Sequence, residues 1–125
     1  MIEILKVQEI VREAAKIFSN RNAAEQIKQK GVFDYVTAID EAVQEFIQKE
    51  LSDLYPQIQF MGEEKDNSDI DMSGQVWVLD PVDGTTNLIH DYQNSAISLA
   101  LIDNSEIILG IIYNPFSDEM FYAEK

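Results

Sequence analysis

Apolar residues recur at helical spacing in the first part of the chain and at strand spacing in the rest. Ile4, Val7, Val11, Ala14 and Phe18 lie three and four residues apart with Glu and Lys between them, which predicts an amphipathic helix over roughly residues 2–28. Gly31 interrupts this pattern. Val36 and Thr37 lead into a second helix whose Ile39, Val43, Phe46, Ile47, Leu51 and Leu54 share one face. Thr37 suits an N-cap, Asp40 falls in the first turn where a carboxylate favours the helix dipole, and Pro56 ends the helix. Beyond it the period shortens, and residues 58–61, 76–79, 97–102, 107–113 and 119–123 read as strands. The turn segments 103–105 and 114–118 are short, which favours an antiparallel meander. The expected fold class is α+β: two N-terminal amphipathic helices packed on a mainly antiparallel sheet, with residues 1–125 forming a single domain.

Composition narrows the chemistry. The 125 residues are 46% hydrophobic and contain no cysteine and one histidine, His90. Thiolate nucleophiles, cysteine-ligated zinc and iron–sulfur clusters are therefore excluded, and any bound metal must be held by oxygens, which points to magnesium, manganese or calcium. The net charge is −14, and it is regional: residues 1–30 carry +2 and residues 31–125 carry −16. Such a chain is expected to be repelled by nucleic acid and by anionic membranes. The longest apolar runs, 95–102 and 107–113, are too short to span a bilayer. With no visible signal peptide, a reducing, cytoplasmic setting is the expectation.

The carboxylates differ in placement. Asp66, Asp69 and Asp71 lie in a polar stretch and read as a solvated loop. Glu63, Asp80 and Asp83 instead stand at the ends of apolar runs. The string Trp77-Val78-Leu79-Asp80-Pro81-Val82-Asp83-Gly84-Thr85-Thr86-Asn87 reads as a buried strand that stops in a rigid acidic turn. Two carboxylates three residues apart with the Val82 carbonyl between them can converge on hard cations, and Gly84 permits close backbone approach. Thr85-Thr86-Asn87 can open a short helix whose free N–H groups suit a phosphate. Each part also has a plain reading: Asp-Pro and Asp-Gly are frequent turn dipeptides, Gly62-Glu63-Glu64 is a strand end followed by solvated acids, and Asp40 is a helix-start carboxylate. His90, beside Asp91, reads as a surface or capping residue. Lys28 and Lys30 read either as a solvated helix end or as a basic loop facing an anionic substrate.

Taken together these segments resemble the inositol monophosphatase family of magnesium-dependent, lithium-sensitive phosphatases. Asp34-Tyr35-Val36-Thr37-Ala38-Ile39-Asp40 is similar to its Asp-x-Val-Thr-x-x-Asp segment, Gly62-Glu63-Glu64 to its Gly-Glu-Glu, and the string ending at Asn87 to its most diagnostic motif. Gly110-Ile111-Ile112-Tyr113-Asn114-Pro115, followed by Glu119-Met120-Phe121, resembles the family's hairpin, so the likeness covers nearly the whole chain. The resemblance implies the N-terminal half of a layered αβαβα sandwich and hydrolysis of small phosphomonoesters, inositol monophosphate or a related sugar phosphate, by a metal-activated water. It implies that Glu63, Asp80 and the Val82 carbonyl hold one Mg2+ and Asp80 and Asp83 a second, with a third ion near Glu63 and Mn2+ a possible substitute. Glu63 and Thr85, the latter positioned by Asp40, would act on the water, while Asp83, Gly84, Thr85 and Thr86 bind substrate. A homodimer is a further family expectation.

Two departures qualify that implication. The family's chains are about twice this length, and the remaining half would bring another Asp to the second metal site together with the residues that recognise the substrate. Leu88 stands where an aromatic residue is usual. The alternative reading is a non-catalytic or incomplete metal- and phosphate-binding module that needs the missing half or a partner for turnover, and a purely structural acidic domain is a third.

Overall fold

Helix α1 forms at Ile4–Ala15, where the apolar spacing is strict, and tightens into a 3-10 turn over Lys16–Ser19. The computed structural model describes residues 2–20, 27–29, 35–63 and 66–125. The first helix is therefore much shorter than the sequence spacing predicts. After Phe18 no apolar residue continues the stripe, and Ile27–Gln29 is instead a strand, β1, paired antiparallel with β2, Tyr35–Thr37. The side chain of Lys28, together with Lys30, Gly31, Asp34 and Glu64, lies outside the described residues.

Helix α2, Ala38–Leu54, follows β2 directly and begins as expected from its cap. The Thr37 hydroxyl accepts from the N–H groups of Ile39 (3.1 Å) and Asp40 (3.4 Å), and the Asp40 carboxylate accepts from the Thr37 N–H in return. Tyr55 closes the helix just before Pro56, and its hydroxyl accepts from Glu3 N–H at 2.9 Å, which ties the end of α2 to the start of α1. Ile39, Val43, Ile47 and Leu51 are fully buried, while Leu54, assigned by its spacing to the same face, is exposed.

The main sheet has the order β3-β4-β5-β6-β7, formed by Gln59–Gly62, Gln75–Asp83, Ala96–Asp103, Glu106–Asn114 and Glu119–Glu124. From β4 onward it is the expected antiparallel meander, but β3 pairs with β4 in parallel, in the register Gly62↔Leu79. The connection over 63–74 is long enough for the crossover that a parallel pair requires. Strand β4 also runs on past Leu79 instead of stopping there. Its ladder with β5 slips between Asp80 and Asp83, which oppose Ser98 and Ala96, so the acidic turn of the sequence reading is a β-bulge within the strand. Pro81 is accommodated in the bulge, where the ladder asks for no N–H.

Trp77, Leu79, Ile97, Leu99, Leu101, Leu109 and Ile111 face the two helices and form the core with Val7, Val11, Val43 and Ile47. The Arg12 guanidinium lies 5.9 Å over the Tyr113 ring, and Phe18 meets Phe116 at 6.1 Å, pinning α1 to the far hairpin. The opposite sheet face is uncovered: Ile107, Ile112 and Phe121 are exposed around a shallow apolar groove floored by Ala100, Gly110 and Ala123. Among the described residues no helix is long and apolar enough to cross a membrane.

Candidate active site

Parallel pairing puts the carboxyl ends of β3 and β4 side by side. Glu63 follows the last residue of β3, and Asp80 stands one residue beyond its partner register in β4, so two acids separated by a long connection become neighbours. They line one cleft of about 360 Å³, together with Asn67, Ser98 and Ala100. Burial, a hydrogen bond with Glu63 and the negative charges of Glu63 and Asp83 push the Asp80 carboxyl up to about 7. Its Oδ1 is buried and has no hydrogen-bond partner among the described residues. A half-buried acid that repels its neighbour and keeps an unused oxygen is costly in an otherwise satisfied fold, and its donor chemistry fits a hard cation.

The other half of the site lies beyond the bulge. Gly84 turns the chain with φ 93° and ψ 42°, and a short helix α3, Thr85–Ile89, begins at once. The Thr85 hydroxyl lies 3.0 Å from Asp40 Oδ1 and 3.1 Å from the Val82 carbonyl, both acceptors for its single proton. Asp40 Oδ2 accepts from the Thr37 hydroxyl at 2.6 Å and the Thr37 N–H at 3.1 Å. Asp40 is therefore both the helix-start carboxylate its position predicts and the anchor of Thr85, 45 positions away. Its burial raises its pKa against the lowering effect of the bonds from Thr37 and Thr85.

The loop after α3 braces the turn. Ser95 Oγ donates to Gly84 O at 2.8 Å and the Asn87 amide donates to Asn94 O at 2.9 Å, so Asn87 holds this loop. A Cβ on Gly84 would approach Asn94 O to 3.1 Å in a left-handed backbone conformation. Gly84→Ala is thus expected to lower stability by about 1–2 kcal/mol, measured as the fall in the urea midpoint at unchanged m-value. His90 is exposed and stacks on Tyr92 at 5.5 Å, consistent with a surface residue.

Of the residues singled out in the sequence, the structure brings together Glu63 with Asp80, and Asp40 with Thr85 and the Val82 carbonyl. It leaves Asp83 and Thr86 exposed at the rim. Among the described residues no three acidic or histidine side chains converge on one point. The acidic loop is ordered by its own side chains, as when the Asp66 and Asp71 carboxylates accept from Ser68 and Ser73 N–H groups. Asn67, Gln59 and Ser95 play parts that the sequence reading missed. Their only signal is amide or hydroxyl chemistry in polar segments, which is too common to single them out.

A model of the inositol monophosphatase family matches residues 2–125. The chain belongs to the inositol monophosphatase family. It is 40% identical over 121 residues to the inositol monophosphatase of Dictyostelium discoideum, an alignment covering 94% of this chain and 44% of that one. To the inositol-1-monophosphatase of Bacillus subtilis it is 34% identical over 116 residues, covering 90% and 44%. Among solved structures, the extragenic suppressor protein suhB of Bartonella henselae superposes with a TM-score of 0.87 at 32% identity, over 98% of this chain and 49% of that one. The Thermotoga maritima IMPase gives 0.81 at 30% identity, over 97% and 47%. The chain thus spans about half the length of these family members.

Proposed function

We propose that this chain carries the cation- and phosphate-binding part of a magnesium-dependent phosphatase acting on small phosphomonoesters, inositol monophosphate or a related sugar phosphate. The observation that carries the reading is the buried Oδ1 of Asp80, without a partner among the described residues, beside Glu63 on the strand that leads through the bulge to Thr85. Glu63, Asp80 and the Val82 carbonyl would hold one Mg2+, and Asp80 with Asp83 a second, Mn2+ being a plausible replacement on the same oxygen ligands. When bound, the ions supply a water of lowered pKa and positive charge for the departing alkoxide.

The chain's own residues do the rest. Thr85 donates its proton to Asp40 or to the Val82 carbonyl, so its oxygen is left to accept a hydrogen bond from an attacking water. Glu63 takes up the proton that this water releases. Asp40, fixed from behind by two bonds from Thr37, keeps the Thr85 oxygen in this acceptor role. N–H groups in the first turn of α3 have no partner within the helix, and those of Gly84 and Thr85 would bind phosphate oxygens, with Asp83 and Thr86 at the rim toward the substrate.

The test is phosphate release from inositol 1-phosphate with and without Mg2+, for the unaltered protein, Glu63→Gln and Asp80→Asn. Release that requires Mg2+ and disappears in both variants supports the reading. Release that is indifferent to Mg2+ or to either substitution overturns it. The uncovered sheet face and the half-length match to the relatives favour a second reading, in which this part binds cation and phosphate but turns over only with the remaining half of the family's fold. Its signature is Mg2+-induced thermal stabilisation without phosphate release.

A further inference from the structure

We infer that Asn67 is a positioning residue that sets Glu63 for cation binding, an inference that rests on the reading of Glu63 and Asp80 as metal ligands. Strand β3 is an edge of the sheet among the described residues, so on its outer side the N–H and C=O of its last residue meet no strand of that sheet. The Asn67 side chain takes that place. Gly62 N–H donates to Asn67 Oδ1 at 3.2 Å and Asn67 Nδ2 donates to Gly62 O at 2.9 Å, so the amide satisfies both groups of one peptide residue as a paired strand would. On the sheet face toward α2, Gly62 packs closely. A Cβ there would lie 2.5 Å from the Oε1 of buried Gln44 on α2. Gly62 is thus bonded to the Asn67 amide at the sheet edge and leaves room only for hydrogen toward α2, and the next residue in the chain is Glu63, in the same cleft as Asn67 and Asp80.

The chain contains its own control. At the other end of the crossover Gln59 makes an equivalent pair: Asp71 N–H donates to Gln59 Oε1 at 2.8 Å, and Gln59 Nε2 donates to Asp71 O at 2.9 Å. Both amides secure the 63–74 connection, but only Asn67 does so at the residue next to Glu63. A merely structural role would make the two exchangeable.

The experiment measures Mg2+ affinity by isothermal titration calorimetry and melting in chelator, for the unaltered protein, Asn67→Ala, Gln59→Ala, and Asn67→Ala combined with Glu63→Gln. Asn67→Ala is expected to raise the Mg2+ Kd about 10-fold, the size of effect seen for groups that orient metal ligands. Gln59→Ala should lower the melting temperature at least as much while moving Kd less than about 2-fold, within the additivity error for distant sites. In the Glu63→Gln background, Asn67→Ala should add nothing to Kd. Asn67→Ser, which keeps the loop polar, should reproduce the loss of affinity should the alanine variant fail to fold. Equal effects of Asn67→Ala and Gln59→Ala on Kd, or an unchanged Kd in the Asn67 variants, overturn the inference and leave the metal reading intact. Absence of Mg2+ binding by the unaltered protein overturns the metal reading first and the inference with it.

Discussion

Asp80→Asn is expected to stabilise the metal-free protein at pH 8 and to abolish its stabilisation by Mg2+. Burial, then Glu63 and Asp83, lift the Asp80 carboxyl from 3.8 to about 7. The folded state therefore holds a proton on Asp80 that the unfolded chain releases near pH 4. This contribution to stability is complete below about pH 4, declines as the pH rises, and is lost above about 7. In a dry site the difference would be worth roughly 4 kcal/mol. Water reaches part of this carboxylate, and screening reduces the figure to about 2 kcal/mol. The asparagine variant cannot ionise, so its advantage over the unaltered protein should be near zero at pH 4 and grow to roughly 8 °C in melting temperature at pH 8. Addition of Mg2+ should reverse the order. On the proposed function, a cation at 100 times its Kd stabilises the unaltered protein by about 2.7 kcal/mol, and the variant lacks the carboxylate proposed to hold it. Melting curves in chelator and in Mg2+ at four pH values decide it. A variant that is less stable than the parent at pH 8 without metal would show that Asp80 is not under electrostatic strain.

The second large effect is at Asp40, where truncation and an isosteric change should behave differently. Asp40→Ala removes the acceptor for the buried Thr37 N–H and hydroxyl and for the part-buried Thr85 hydroxyl. Relief of the desolvated charge offsets part of that loss, and the net cost should be roughly 3 kcal/mol, from the missing cap and the unsatisfied donors. Asp40→Asn keeps an acceptor for Thr37 but presents an N–H toward Thr85. The Thr85 hydroxyl can then turn its proton to the Val82 carbonyl, 3.1 Å away, and accept from the amide. Stability should fall by only about 1 kcal/mol, yet the amide takes one of the two acceptor positions of the Thr85 oxygen and turns its proton away, so the water is no longer held as before. The proposed function therefore requires phosphate release to drop steeply in a variant that still folds, read by denaturant titration beside the activity assay. Full activity in Asp40→Asn would remove Thr85 from the water-orienting role.

Much of this molecule is visible in the order of its residues. The stripe of Val43, Ile47 and Leu51 and the Thr37–Asp40 pair specify α2 and its start, because periodicity and capping depend on neighbours three and four positions apart. The alternation through β5 and β6 likewise marks which face is buried. The shortening of the first helix was less visible. The pairing of Ile27 with Thr37, ten positions on, is a choice that a periodicity read over one segment misses.

The acidic residues of the site, and the absence of cysteine, are likewise properties of the chain alone, and they confine the chemistry to oxygen ligands. What the sequence leaves open is which acids meet. The parallel direction of β3 against β4 brings Glu63 to Asp80, the bulge turns an apparent stop after Leu79 into a continuing strand, and Asp40 finds Thr85 across 45 residues. Asn67 acquires a role only because β3 is an edge strand. The physical reason is common to all four: strand direction, register and edge position follow from closing the chain around one core, and no local pattern of side chains encodes them.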